Sequence, residues 1–160
     1  MIRTFITALS LLSFTASLAF AGPSPSATPF AAGTSYTVCF TPGQDCEGVI
    51  INEIRQTRST ILMQGYSFTS TPIAKALVEA KRRGVDVRAI LDKSQRTERY
   101  SGATFLKRAG IPTVIDEQPA IAHNKVFVFD QQAVLTGSFN FTKAAQSGKL
   151  NCYTRGYKFS

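Results

Sequence analysis

From Tyr36 onwards, the chain alternates between short β-rich runs and longer segments with apolar residues at helical spacing. The clearest helix begins at Thr71, where an N-cap residue precedes Pro72 in the first turn, and it ends at Gly84. The same criteria predict further helices over residues 47–58 and 101–108, and strands over residues 36–40, 60–68, 85–91, 112–115, 125–129 and 133–137. Strands interleaved with helices favour an α/β fold with a mixed, largely parallel sheet flanked by helices.

The first 21 residues have the three parts of a secretory signal peptide. Arg3 gives a positive start, the run from Phe5 to Phe20 is apolar apart from small hydroxyl residues, and the segment ends on an A-x-A cleavage pattern. A membrane anchor is the alternative, but a stretch rich in proline, serine and glycine follows instead of a stop-transfer flank. We therefore expect cleavage near Ala21, a secreted or periplasmic protein with no stable membrane insertion, and a flexible mature N-terminus over residues 22–35.

The chain is strongly basic, with 18 lysines and arginines against 10 acidic residues and a net charge of +8. Removal of residues 1–21 takes away one arginine and no acid, so the exported part keeps a charge of +7. Such a surface attracts polyanions, either nucleic acid or anionic lipid headgroups, and the charge alone does not choose between them. The chain has one histidine, which excludes a metal centre ligated by histidines alone within one chain.

Cys39 and Cys46 lie seven residues apart on either side of a turn-rich segment. In an oxidising compartment, we expect this pair to form a disulfide. A metal site is less favoured, because no CxxC motif or nearby histidine completes it. Cys152 is left over in the C-terminal tail.

Four polar residues in the last quarter form two pairs with the same spacing, His123 with Lys125 and Ser138 with Asn140. Alternate residues of an extended strand project from the same face, and a strand–turn–strand arrangement would bring the two pairs together. Each residue taken singly is more often a surface or turn residue, but the whole pattern, H-x-K-x4-D followed by G-S-x-N, specifies six positions. The pocket suits a phosphate, since lysine supplies positive charge, serine and asparagine donate hydrogen bonds, and histidine attacks phosphorus.

The segment HNKVFVFDQQAVLTGSFNFT resembles the HKD motif of the phospholipase D superfamily. Upstream, GYSFTSTPIAKALVEAKRRGVDVRAILD resembles the small secreted endonucleases of that superfamily, which carry one motif per chain, and the resemblance covers residues 36–145. It implies a phospholipase D-like nuclease domain with a half-barrel or sandwich architecture. It also implies a phosphodiesterase that forms a covalent phosphohistidine and needs no metal or other cofactor. By position, His123 is then the nucleophile, and Lys125, Ser138 and Asn140 bind the phosphate.

Asp130 is the acidic member of the motif, and the resemblance places it in the catalytic set with His123 and Lys125. Its distance along the chain puts it beyond the strand from His123. We therefore expect it to hold the site in an orienting or structural role.

Cleavage of a phosphodiester expels an alkoxide, which leaves efficiently when a general acid with a near-neutral pKa protonates it. A second histidine meets this need, but the chain has only one. We expect His123 of another subunit to supply the acid, in a homodimer with a shared active site, and the resemblance implies the same assembly.

Residues 146–160 depart from the family pattern. These nucleases continue with an acidic residue near the position of Asn151, then a strand and a C-terminal helix. Here no acidic residue follows Asp130, and the tail has neither a period of two nor one of 3.6. We interpret it as the atypical tail of an aberrant or truncated C-terminus, from a frameshifted or truncated reading frame, in which the last strand and helix are missing.

The favoured function is a non-specific endonuclease that acts on DNA, with RNA as the other nucleic-acid substrate. A phospholipase D-type lipid hydrolase uses the same chemistry. However, the chain lacks a long apolar lid, and its basic segments 81–83 and 93–99 suit a polyphosphate backbone better. A third possibility is an inactive truncated product that only binds nucleic acid.

Overall fold

The computed structural model describes residues 32–96, 102–148 and 151–157. The predicted signal peptide and most of the flexible N-terminus lie outside these residues. The strands are β1 (Tyr36–Thr41), β2 (Thr60–Gly65), β3 (Asp86–Asp92), β4 (Thr113–Asp116), β5 (Lys125–Phe129), β6 (Ala133–Gly137) and β7 (Asn151–Tyr157). The helices are α1 (Cys46–Gln56), α2 (Thr71–Arg82), α3 (Gly102–Arg108) and α4 (Lys143–Ser147), with a 3₁₀ helix at Lys93–Arg96. Within these ranges, no helix is long and apolar enough to cross a membrane.

The strands form one mixed sheet in the order β1-β7-β6-β5-β2-β3-β4. The pairs β2–β3 and β3–β4 are parallel, and the other four neighbouring pairs are antiparallel. The predicted α/β fold with a mixed sheet flanked by helices is confirmed. Its parallel part is limited to three strands, since a short turn such as that between β5 and β6 permits only antiparallel pairing.

The helix α2 follows its sequence signals closely. Ser70 rather than Thr71 is the N-cap residue, and its hydroxyl accepts a hydrogen bond from the backbone N–H of Ile73 at 3.1 Å. After the helix, Gly84 has a φ of +94°, a left-handed conformation that glycine adopts without steric cost.

The hydrophobic core lies against one face of the sheet. Its fully buried members include one residue from each of three strands and two helices, namely Ile61, Leu91, Phe127, Ile50 and Leu77. The alternation of buried and exposed residues along β2 and β3 shows that the other face is open. That open face carries exposed Leu62, Ile90 and Val114.

The strand β7 contradicts the prediction that the last strand is missing. It lies between β1 and β6 and pairs antiparallel with both, with Thr41 opposite Asn151 and Gly137 opposite Tyr153. The prediction was wrong because it relied on side-chain periodicity. Two neighbouring strands offer unpaired backbone N–H and C=O groups, and pairing with them depends on the backbone of the incoming segment.

Candidate active site

Four of the predicted site residues lie at one end of the sheet, namely His123, Lys125, Ser138 and Asn140. β2 runs antiparallel to β5 with Gly65 opposite Lys125, and β6 is antiparallel to β5 on its other side. The beginning of β5 therefore lies beside the ends of both β2 and β6. His123 lies two residues before Lys125, the first residue of β5, and Ser138 and Asn140 lie within three residues of the end of β6, so the two predicted pairs are at the same end.

The loop that carries Ser138 and Asn140 is fixed by its return to the loop after β2. The backbone N–H of Phe141 donates to the carbonyl of Ser67, and the carbonyl of Phe141 accepts from the N–H groups of Thr69 and Ser70. The Phe141 side chain is fully buried in the core. These contacts bring the chain after β6 back to the end of β2.

His123 and Lys125 share one aromatic neighbour but have different exposures. The ring of Tyr66 lies 4.5 Å from the His123 ring, centroid to centroid, and 5.0 Å from Lys125 Nζ. His123 is exposed, whereas Lys125 is only 5% exposed, and its Nζ donates to the His123 carbonyl at 3.2 Å. Burial lowers the pKa of Lys125. The site thus combines the solvent-accessible imidazole of His123 with the buried amine of Lys125.

Asn140 presents a side-chain amide whose hydrogen-bonding capacity is incompletely used. Its Oδ1 atom is buried, and no hydrogen-bond partner for it exists among the described residues. A half-turn of the amide exchanges the oxygen for the NH₂ group. In that orientation, the amide offers a donor to a phosphate oxygen.

Asp130 lies at the opposite end of β5 from His123. Its carboxylate accepts hydrogen bonds from the backbone N–H groups of Arg58, Ser59 and Thr60 and from the Ser59 hydroxyl. Burial raises the pKa of Asp130, but these hydrogen bonds outweigh it and lower the pKa to about 2. The carboxylate therefore binds the start of β2, apart from His123 and Lys125.

Asp92, at the end of β3, is a site residue that the sequence analysis did not single out. It is 3% exposed, and its carboxylate accepts a hydrogen bond of 2.7 Å from the backbone N–H of Ala122, the residue before His123. A second hydrogen bond comes from the N–H of Ser94. Burial raises the pKa of Asp92, but the hydrogen bonds lower it by a larger amount, so the pKa lies below its ordinary value. The only sequence signal was its place at the end of a predicted strand.

The structure joins Cys39 of β1 to Cys46 of α1 in a disulfide, with the Cα atoms 5.7 Å apart. Both cysteines are buried. Elsewhere in the described ranges, no group of three histidine, cysteine, aspartate or glutamate side chains is arranged to hold a metal ion.

Known proteins resemble this chain over the same region. Residues 50–154 match the family described as "Cardiolipin synthase, PLD-like domain". The phospholipase D of Rickettsia felis is 45% identical over 109 residues, which are 68% of this chain and 54% of that protein. The mitochondrial cardiolipin hydrolase of Homo sapiens is 26% identical over 110 residues, 68% of this chain and 44% of that protein. The chain spans about half the length of these relatives.

Solved structures share the fold. Nuc from Salmonella typhimurium, a phospholipase D family member, has a TM-score of 0.75 and 36% sequence identity, over 79% of this chain and 84% of that one. NucT from Helicobacter pylori has a TM-score of 0.69 at 22% identity, over 78% of this chain and 86% of that one, and is alike in fold. The family match covers both pairs of polar residues, at the beginning of β5 and after the end of β6. The chain therefore belongs to the family of proteins with a phospholipase D-like domain.

Proposed function

We propose that this protein is a phosphodiesterase that hydrolyses DNA without sequence preference, with RNA as a second substrate. The observation that carries the proposal is the pairing of an exposed imidazole with a buried amine at one end of the sheet. An exposed His123 is open to a large substrate, and Lys125 offers charge to a phosphate oxygen. Ser138 and Asn140 follow β6 at the same end and supply hydrogen bonds.

The proposed reaction has two displacements at phosphorus. A nitrogen of His123 forms a bond to phosphorus, the P–O bond to the leaving alkoxide breaks, and a general acid gives that alkoxide a proton. Water then attacks the phosphohistidine, the P–N bond breaks, and the same group takes up the proton from water. His123 of a second subunit is the acid and base in this scheme, because the chain holds no other histidine.

Nucleic acid is the preferred substrate class because of charge. The chain carries +8 overall, and residues 22–160 carry +7. Binding through lysine and arginine to a phosphate backbone is independent of sequence and weakens steeply with added salt. We also propose that the protein works outside the cytoplasm after cleavage near Ala21, a location that suits a disulfide between Cys39 and Cys46.

A lipid substrate is the second candidate, and the relatives favour it by name. Those from Rickettsia felis and Homo sapiens are called phospholipase D and mitochondrial cardiolipin hydrolase. The phosphodiester chemistry is the same for both substrates, so substrate choice depends on surfaces around His123. The third candidate is a domain that binds nucleic acid without cleaving it.

The test uses the purified chain from residue 22, with plasmid DNA, single-stranded RNA, phosphatidylcholine vesicles and cardiolipin vesicles as substrates. We expect DNA cleavage that persists in EDTA, since Lys125 rather than a metal ion supplies the positive charge at the phosphate. His123→Ala should abolish cleavage, and Asn124→Ala, a change in the exposed neighbouring side chain, serves as the matched control.

Each candidate has a distinct result. Lipid hydrolysis without DNA cleavage would transfer the assignment to a lipid hydrolase. DNA binding by wild type and by His123→Ala, with cleavage by neither, would make the protein a binding domain. Activity lost in EDTA and restored by a divalent cation would overturn the metal-independent mechanism.

A further inference from the structure

Tyr66 follows the last residue of β2 and is joined to the site by its backbone. Its N–H donates a hydrogen bond of 2.8 Å to the carbonyl of Asn124, the residue between His123 and Lys125. The preceding Gly65 is paired directly with Lys125 in the sheet. The position of Tyr66 is therefore set by the same strand pair that sets the two motif residues.

The Tyr66 ring contacts both of those residues. Its centroid is 4.5 Å from the His123 centroid, and the two ring planes meet at 61° in an edge-on arrangement. Lys125 Nζ lies over the ring, 5.0 Å from its centroid. Edge-on ring pairs and ammonium groups over aromatic faces are both stabilising arrangements.

Lys125 depends on this contact because it is buried. It is 5% exposed, and no carboxylate among the described residues forms an ion pair with it. Its Nζ donates a hydrogen bond to the His123 carbonyl and lies over the face of Tyr66. A buried ammonium without a carboxylate partner is held in place by weaker acceptors of this kind.

His123 is exposed, so its ring has few other neighbours to restrict it. An exposed side chain samples several rotamers unless a contact selects one. An edge-on ring contact such as that between Tyr66 and His123 favours one orientation of the imidazole over the others. A nucleophile held close to its attack geometry reacts faster than one that must find it.

We propose that Tyr66 is a positioning residue, whose ring sets the orientation of the His123 imidazole and the place of the Lys125 ammonium in the phosphate site. The expected effect of Tyr66 on the reaction rate rests on the proposed function, whereas its expected effect on the orientation of the His123 ring does not. The aromatic face is the required feature, and the hydroxyl is secondary.

The test compares wild type with Tyr66→Phe and Tyr66→Leu, and Tyr36→Leu is the matched control because Tyr36 is 70% exposed on β1. Since the chain has a single histidine, labelled histidine gives NMR signals from His123 alone when the purification tag contains none. In wild type, we expect nuclear Overhauser effects between the imidazole and Tyr66 ring protons, and imidazole shifts displaced by the Tyr66 ring current. Tyr66→Phe should keep the displacement, and Tyr66→Leu should move the shifts towards those of a free histidine.

Kinetics on a small synthetic phosphodiester supply the second measurement. We expect Tyr66→Leu to lower kcat about tenfold with KM within about twofold, and Tyr66→Phe to lower kcat less than about threefold. Equal losses in the Phe and Leu variants would assign the role to the hydroxyl and overturn the proposal. Wild-type kcat in the Leu variant would overturn it as well.

The NMR measurement keeps the proposal separate from the proposed function. If wild type hydrolyses no phosphodiester, the proposed function fails. The nuclear Overhauser effects between the Tyr66 and His123 rings still decide whether Tyr66 orients His123. If Tyr66→Leu does not fold, the wild-type effects and the Phe variant decide it. An imidazole with no such effects in folded wild type would overturn it.

Discussion

At the scale of single residues, the site depends on two neighbours in opposite environments. His123 is exposed and Lys125 is buried, although they are two positions apart. The difference arises because β5 begins at Lys125, whose side chain lies on the core side with Phe127 and Phe129, whereas His123 precedes the strand. The reacting group is thus accessible while the charged group is held by the fold.

Replacement of Lys125 by methionine separates its functional role from its structural cost. We expect phosphodiester hydrolysis to fall at least about a hundredfold, because a preorganised charge on the phosphate is lost. The free energy of unfolding should stay within about 1 kcal/mol of wild type or rise, since burial of an ammonium without a carboxylate partner is unfavourable.

The two measurements are initial hydrolysis rates and urea unfolding, with Lys143→Met, an exposed lysine of α4, as control. Activity close to wild type in Lys125→Met would remove Lys125 from the site.

Substitution of Asp130 tests whether this residue contributes to stability without taking part in catalysis. Asp130→Asn should lower the free energy of unfolding at pH 7 by roughly 1–2 kcal/mol, because the amide is a weaker acceptor for the N–H groups of Arg58, Ser59 and Thr60. The pKa of the carboxyl is about 2 in the folded state and about 4 when unfolded, so its contribution is present above about pH 4. That contribution is lost as the pH falls towards 2.

Urea unfolding between pH 7 and pH 3 measures this effect, and the difference between wild type and variant should shrink at the acidic end. Folded Asp130→Asn should still cleave its substrate. Loss of cleavage with unchanged stability would instead place Asp130 in the catalytic set.

At the scale of elements, three contacts hold β1 in place. Among the described residues it is an edge strand whose one sheet partner is β7, and its Cys39 is bonded to Cys46 at the start of α1. The Thr41 side chain also donates to the backbone of Ala145 in α4 at 2.9 Å. These contacts join the beginning of the described chain to its last helix and strand.

Removal of the disulfide should weaken this arrangement. We expect Cys39→Ala with Cys46→Ala to lower the free energy of unfolding by roughly 2–3 kcal/mol, the loss typical of a short closed loop. Unfolding in urea with and without a reducing agent measures it. The reducing agent should destabilise wild type and leave the double variant unchanged, and equal sensitivity of both would show that another thiol is responsible.

At the scale of the whole molecule, the sheet places the candidate active site and the hydrogen bonds of Asp130 at opposite ends of β5. The candidate active site is at the end where β5 begins, and the Asp130 contacts are at the end where β5 finishes. Asp92 links the end of β3, on one side of β5, to the residue before His123. Ser138 and Asn140 follow β6, on the other side of β5, so strands on both sides support the site. This arrangement follows from the antiparallel position of β5 between β2 and β6.

The proposed dimer makes a quantitative prediction. If attack and proton transfer need one His123 from each subunit, then mixed dimers of wild type and His123→Ala hold one imidazole and complete no reaction. Under subunit exchange at equal concentrations, with total protein held constant, activity should be about a quarter of that of wild type alone, because random pairing leaves that share of wild-type dimers. Mixtures of varying wild-type fraction at constant total concentration measure the dependence.

A linear dependence on the wild-type fraction would show that each chain works alone. Full activity of a monomer in sedimentation would show that a group other than histidine is the acid.

The sequence alone determined most of the individual elements and the identity of the polar cluster. The helix α2 is bounded by a capping residue, Pro72 and Gly84, and β5 and β6 are short apolar runs on either side of a polar turn. These signals are local, since a cap, a proline and a periodicity act within a few residues. The motif from His123 to Asn140 is likewise contained in one stretch of chain.

Only the tertiary structure decided how distant segments complete each other. β7 is a strand because β1 and β6 leave room for its backbone, Asp92 reaches Ala122 across 30 positions, and Tyr66 meets His123 through strand pairing. Asp130 belongs to the start of β2 because the sheet places it there. Hydrogen bonds and ring contacts of this kind join residues far apart in sequence, and no local pattern records which partners will meet.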